Sequence, residues 1–496
     1  MKARARQSLR VVALALCLYS CSTAGSTSAA AGADMAMAPA VDIGTRLELF
    51  VDDLVIDQLK GATLKLHEPQ AKEVVLRFDA PWEGAFCGYV TVLHDANRFL
   101  MYYRGLPVDR ADGSTNEVTC VAESADGLAW NKPKLGLCEV GGNRDNNVVL
   151  AGQPPFSHNF APFVDTRPGV PPGERFKALA GTSASGLHVF ASGDGLRRRR
   201  WREGPILTQG AFDSQNVAFW SESEQCYAAY FRTWTGGAFA GYRTISRATS
   251  PDLVHWSAPV EMSFGDTPRE HLYTSQTQPY FRAPHIYLAT PMRFMPGRKV
   301  LTSEQARALG VEPGYASDAA DAVLMATRGG NRYTRLFMEA LIRPGNDLGN
   351  WASRAGLTAL GIVPTGPAEI SLYKQAHYAQ ASAHLIRYAL RTDGFVSVNA
   401  PYRGGELVTR PLVFQGHHLA INFATSAAGS LRVELQDAAG KPLPGYGLED
   451  AVEQIGDDIE RTVTWKNGSQ VGSLAGTPVR LHFVIKDVDL FSLRFR

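Results

Sequence analysis

The 496-residue sequence predicts an all-β protein, a five-bladed β-propeller followed by a C-terminal β-sandwich. Apolar and polar residues alternate over short runs bounded by Gly, Asp, Asn and Pro, and long helical periodicity is scarce. An S-x-D-G-x-x-W element recurs after Tyr/Phe-rich runs, at intervals of roughly 60–70 residues. Beyond Gly404-Gly405-Glu406 that element is lost while the strand pattern continues.

Residues 1–21 read as an export signal. Lys2, Arg4, Arg6 and Arg10 form the basic region, and Val11 to Leu18 form an apolar run too short to span a bilayer. Leu18-Tyr19-Ser20-Cys21 is lipobox-like, with Cys21 the residue to be lipidated; cleavage near Ser28-Ala29-Ala30-Ala31 is the alternative. Both place the mature protein outside the cytoplasm: periplasmic, held at the outer membrane through Cys21, or secreted. Residues 22–42, rich in Ser, Ala and Gly, read as a flexible tether.

Residues 43–404 are assigned to the propeller. The first repeat runs from Tyr89-Val90-Thr91-Val92 through Phe99–Arg104 to Ser124-Ala125-Asp126-Gly127 and Trp130. The second runs from Phe160 through Phe176–Leu179 to Ser192-Gly193-Asp194-Gly195 and Trp201, and the third from Val217–Trp220 through Tyr227–Arg232 to Ser250-Pro251-Asp252 and Trp256. The fourth, from Pro279-Tyr280-Phe281, ends in a degraded turn at Thr327-Arg328-Gly329-Gly330, and the fifth ends at Arg391-Thr392-Asp393-Gly394-Phe395. In each turn the Asp side chain is expected to bind backbone N–H groups while Gly supplies positive φ. Asp126, Asp194, Asp252 and Asp393 are therefore structural residues. Residues 405–496 supply further antiparallel strands, about the length of a sandwich domain.

Composition narrows the function classes. Hydrophobic residues make up 45%, and 50 Lys+Arg against 48 Asp+Glu leave a net charge of +2. That excludes a disordered chain and argues against a nucleic-acid binder. Cys87, Cys120, Cys138 and Cys226 have neither CxxC spacing nor a zinc pattern; Cys120 and Cys138 form one disulfide, or all four are buried thiols. No P-loop, G-x-G-x-x-G, G-x-S-x-G, H-E-x-x-H or EF-hand loop is present, so no cofactor or metal ligand is assigned.

Leu49-Phe50-Val51-Asp52-Asp53, Phe212-Asp213-Ser214-Gln215-Asn216, Glu270-His271-Leu272-Tyr273-Thr274 and Arg391–Val398, with the repeat, carry a resemblance over nearly the whole mature chain. The sequence resembles uncharacterised secreted bacterial relatives of the glycoside hydrolase family 32 and family 43 superfamily. The resemblance implies hydrolysis of glycosidic bonds in a funnel on the propeller axis. Placing the three acidic motifs of family 32 on this chain leads near Phe86-Cys87-Gly88, Asn159-Phe160 and Asp213-Ser214, and only the last has a carboxylate within one residue.

Catalytic candidates therefore come from segments at the start of the innermost strands. Glycoside hydrolysis needs one carboxylic acid and one carboxylate. Asp213 is assigned as base or nucleophile, Glu270 as general acid beside apolar Leu272 and Tyr273, and Glu369 as modulator or alternative acid. The structural alternatives are an Asx-turn for Asp213 and an ion pair with Arg269 or Arg293 for Glu270. Trp82, Glu83, Arg104, His158, Asn159, Gln215, Asn216, His271, Tyr273 and Arg293 are assigned to substrate, expected to be a plant or algal polysaccharide or oligosaccharide. Arg104, Arg232 and Arg293 each end an aromatic run, placed either to bind anionic sugars or to stack on Tyr and Trp. His271 and Tyr273 also support a lyase on uronic-acid polymers, in which His or Tyr abstracts a proton. A non-catalytic carbohydrate-binding propeller is the remaining alternative.

Overall fold

The computed structural model describes residues 39–109 and 111–496, so the export signal, Cys21 and most of the expected tether lie outside the described residues. The described chain is nearly all β; its one α-helix among the described residues is Ser303–Ala308. A capping box holds that helix: Thr302 accepts from the Gln305 backbone N–H and Gln305 from that of Thr302.

Four antiparallel four-stranded sheets carry most of the repeat. Three are built from consecutive strands: Gly88–Asp95, Arg98–Gly105, Val118–Ser124 and Val148–Leu150; then Ala161–Val164, Phe176–Thr182, Gly186–Ser192 and Arg199–Arg200; then Val217–Ser221, Cys226–Trp234, Arg243–Ser250 and Val260–Glu261. The stretch expected as a fourth unit is divided between two three-stranded sheets. Pro291, which has no N–H, lies between Ala283–Ala289 in one and Met292–Met295 in the other, where a ladder would otherwise continue.

The turns behave as the sequence pattern requires. Asp126 Oδ1 accepts from the backbone N–H of Leu128 and Ala129 at 2.8 and 2.9 Å, and Trp130 Nε1 donates back to Gly127 O at 3.1 Å. Asp194 and Asp252 repeat this clamp on residues 196–197 and 254–255. Asp393 does not. It is fully buried, accepting from Tyr280 Oη at 2.8 Å, Ser492 Oγ at 2.9 Å and Arg282 at 3.1 Å. It thereby ties a small sheet to the C-terminal strands.

Both ends of the described chain depart from the expected boundaries. The C-terminal strands form a ten-stranded sheet that also takes in Val41–Gly44, Glu48–Leu49, Ile56–Lys60 and Thr63–Leu66, and Val396–Ala400. Residues 41–66 thus belong with the residues after 395, not with the small sheets, and Val41–Gly44 pairs in parallel with Leu412–Phe414 where a tether was expected. Residues Gln70–Arg77 in turn form the outer strand on His384–Arg391, completing the last four-stranded sheet from far upstream. Local periodicity identifies such strands but cannot say which distant edge they cover. Leu419–Asp437 forms one long strand, which pairs along Val479–Phe495 through register shifts between Thr425 and Ser430. All four cysteines outside the signal are free, so Cys120 and Cys138 form no disulfide.

Candidate functional site

Residues from sequence-distant segments meet at the starts of the small sheets. Tyr89, opening Gly88–Asp95, donates from its hydroxyl to Asp213 O at 3.2 Å, and its ring lies 5.8 Å from the His158 ring. Arg104, near the end of the neighbouring strand, stacks 4.8 Å over Tyr89 and donates to Phe86 O at 2.9 Å and Tyr378 Oη at 3.3 Å. Arg232 is 4.4 Å over the Tyr273 ring and pairs through Nε with Asp213 Oδ1 at 2.8 Å. Arg354 completes the group, 5.4 Å from the Tyr273 ring, 5.3 Å from Tyr315 and 5.7 Å from Tyr378. The insertion containing the helix supplies Tyr315, whose hydroxyl donates to Asp109 at 2.8 Å.

A buried amide network supports this cluster. Gln215 Nε2 donates to Thr91 Oγ1 at 2.7 Å, and Gln276 Nε2 donates to Gln215 Oε1 at 2.8 Å and to Thr358 O at 2.7 Å. Four segments that are far apart in sequence are fixed to one another by side chains. Backbone strain gathers here too: Tyr89, Phe212, Gln276, Arg354 and His377 have φ of 49–63°, the left-handed region that non-glycine residues enter at about 1 kcal/mol or more each.

The electrostatics separate the two tyrosines. Burial, then the proximity of Tyr273, pushes the Tyr89 phenol well above its usual range. Burial opposes ionisation of Tyr273 as well, yet the guanidiniums of Arg354 and Arg232 outweigh it and pull that phenol below its ordinary value. On the other side of Tyr89, His158 Nδ1 sits 2.8 Å from Glu117 Oε1 and 3.7 Å from Asp112. The Nδ1–H is donated to Glu117, which leaves Arg104 Nη1, 3.3 Å from Asp112 and 3.6 Å from Glu117, facing the carboxylates. Asp112, Glu117 and His158 have metal-ligand composition. The Arg104 guanidinium, however, already supplies the positive charge a metal would bring to that space.

Of the residues singled out from sequence, Arg104, His158, Asp213 and Tyr273 come together, with His271 at the margin, its Nδ1 accepting from the Arg243 backbone N–H at 3.2 Å. Asp213 and Glu270 are held by different arginines, Asp213 by Arg232. Glu270 is held by Arg293 at 3.1 Å and Arg335 at 2.6 Å, beside a cavity of about 310 Å³ that Glu261 and Met262 also line, and Arg293 is itself paired with Asp321. Glu369 opens the strand Glu369–Ala376, whose far end leads to Tyr378, so extended geometry puts it roughly 20 Å or more from the cluster. There it pairs with Arg387 at 2.7 Å.

Five other assigned residues make contacts within the protein. Glu83 is buried and bonded to Lys132 Nζ at 2.6 Å and Tyr103 Oη at 2.6 Å, while Trp82 Nε1 donates to Asn147 at 2.9 Å. Asn159 is spent on the backbone of Gly181 and Phe212, and Gln215 on the amide network. Asn216 is buried and reaches Phe212 O at 3.5 Å. Glu83, Asn159, Gln215 and Asn216 are buried, and Trp82 is half-buried.

No family model matches the chain, and no curated protein matches it. Solved structures do. One titled a glycoside hydrolase is 12% identical, with 65% of this chain and 92% of that one covered, at a TM-score of 0.43. An N-acetylgalactosamine deacetylase from F. plautii, in complex with blood group B trisaccharide, is 11% identical over 68% of this chain and 97% of that one, at 0.41. The α-L-arabinofuranosidase Arb93A from Fusarium graminearum is 10% identical over 66% and 99%, at 0.40. Glycoside hydrolases are among its structural neighbours.

Sequence reasoning missed Tyr89 as a site residue, along with Asp112, Glu117, Arg243, Arg354 and Tyr378. Tyr89 was legible, since it lies at the start of the first inner strand, Gly88–Asp95. Asp112 and Glu117 sit between two paired strands, Arg98–Gly105 and Val118–Ser124, where periodicity says nothing about direction. Arg354 lies outside any strand.

Proposed function

We propose that the protein cleaves glycosidic bonds of a carbohydrate, the small sheets forming the five blades of a propeller whose first strands deliver Tyr89, His158, Asp213 and Tyr273 to one central cup. The observation that carries this is the convergence of rings and charged groups from stretches near 89, 158, 213, 273 and 354. Stacking faces and hydrogen-bonding groups are what a sugar ring requires of a site. Hydrolysis assigns Asp213, its side chain 35% exposed and oriented by Arg232, to attack or to activate water. The His158–Glu117–Asp112 group across Tyr89 then supplies the proton for the leaving oxygen.

Elimination from a uronate is the second reading, favoured by one observation: neighbouring tyrosines with phenols displaced in opposite directions suit a base, Tyr273, and an acid, Tyr89. Reducing ends appearing without absorbance from a new C=C bond support hydrolysis, and Asp213→Asn then lowers turnover by about 10³-fold or more. New absorbance, lost in Tyr273→Phe, supports elimination. Glycan binding with neither product would leave a binding protein. The N-terminal sequence adds a location, export with Cys21 as the lipid anchor, and Cys21→Ala should move the protein from membrane to soluble fractions.

A further inference from the structure

The cluster has more positive charge than its own carboxylates neutralise. Arg104 faces Asp112 and Glu117, and Arg232 pairs with Asp213. Arg243 and Arg354 have no carboxylate within ion-pairing distance among the described residues. Arg243 is enclosed by rings instead, 4.5 Å over Trp234, 4.7 Å over Phe294 and 5.5 Å over Tyr273. Arg354 makes one long contact, 3.5 Å to Tyr378 Oη, and the buried Nε of each arginine lacks a hydrogen-bond partner.

Both guanidiniums flank one ring face group, since Tyr273 lies within 5.5 Å of each. Burial and the like charges of Arg232 and Arg354 disfavour protonation of Arg243, with Tyr273 and Asp213 opposing. Beside Trp234 is a cavity of about 320 Å³, lined also by Ala211, Thr233, Ala238 and Phe239, and Phe239 is 54% exposed. The cavity thus adjoins Trp234, over which the Arg243 fork lies, and Arg354 sits on Tyr273, the ring it shares with Arg243. Planar guanidinium forks match carboxylate and sulfate oxygens two at a time.

We propose that Arg243 and Arg354 form a subsite for the anionic group of an acidic sugar, a uronate carboxylate or a sulfate ester, with the sugar ring against Trp234 and Phe239. This deepens the carbohydrate reading and rests on it for the ligand class, but not on either bond-cleaving mechanism. The anion would complete the charge balance around Tyr273 that the chain leaves open.

Monosaccharides contain no glycosidic bond to cleave, so their binding tests the subsite whether or not the protein is an enzyme. Binding of glucuronate, galacturonate and glucose 6-sulfate to the wild-type protein is compared with that of glucose and galactose by ligand-observed NMR titration. The acidic sugars should bind at least tenfold more tightly than the neutral ones, and the advantage should shrink as salt rises. Arg243→Gln and Arg354→Gln should each remove most of it, while Arg243→Lys retains part; thermal unfolding identifies variants that do not fold. Whether uronates or the sulfate gain more fixes the anion. Equal binding of acidic and neutral sugars by the wild-type protein overturns the subsite, as does an advantage that survives in folded Gln variants. Acidic-sugar preference without cleavage of any polymer would keep the subsite and reject the enzyme.

Discussion

Lys374 is a charged group buried without a counter-charge in contact. It is fully buried on the strand Glu369–Ala376, its Nζ has no hydrogen-bond partner, and burial lowers its pKa to about 8, with Asp347 and Asp321 opposing only weakly. Between that value and the unfolded one near 10.5 the unfolded chain binds the extra proton, so stability rises with pH across this window. Below pH 8 the full cost, about 3 kcal/mol, is present. Lys374→Met should therefore raise the thermal midpoint at pH 7, with a gain that shrinks toward pH 10; an unchanged midpoint at both pH values would reject this. Lys374 was invisible in the sequence because alternation says that a side chain faces inward, not whether a counter-charge waits there. Arg104, His158, Asp213 and Tyr273 were legible for the opposite reason: each sits at a strand end or in the short segment leading into a strand, beside aromatic residues. For Glu270 the ion pair with Arg293 was legible as an alternative, whereas Arg335, 65 residues downstream and outside any strand, gave no local signal.

The Asp turn is the element read most securely from sequence, because all its contacts are local. Asp194 accepts from Leu196 N and Arg197 N at 2.8 Å each and from Ser192 Oγ at 2.9 Å, and its carboxyl is held below the usual range chiefly through those backbone bonds, against burial. Asp194→Ala should cost about 1–2 kcal/mol in denaturant unfolding, and Asp194→Asn, which keeps an acceptor oxygen, should cost less. Equal losses would mean that the charge, not the geometry, matters. The third copy shows how far the motif tolerates change. Leu253 stands where the first two copies have Gly127 and Gly195, and it takes a φ of 69°. Its fully buried side chain packs with Trp220 and Tyr227, which offsets the strain. Elements that depend on long-range pairing were less legible: alternation finds the strand Ile56–Lys60, but nothing local to it names Gly405–Thr409 as its partner.

At the scale of the molecule, the segment 41–77 belongs to both major parts of the fold, giving four strands to the ten-stranded sheet and one to the last small sheet. A chain beginning at residue 78 would leave His384–Arg391 and Gly405–Thr409 with bare edges, which invite pairing with other chains. It should aggregate on size exclusion and be cut readily by trypsin, whereas a chain beginning at residue 39 should remain soluble and resistant. A stable, soluble chain from residue 78 would reject this. The same arrangement sets an order of events during synthesis. Gln70–Arg77 leaves the ribosome roughly 300 residues ahead of the strand it must join, a delay of about 15–60 s at ordinary elongation rates. Through that interval Gln70–Arg77 has no mate, and the last four-stranded sheet is completed only once His384–Arg391 has been made. A holding chaperone that shields this leading segment would be of most use to the protein before its final hundred residues are made.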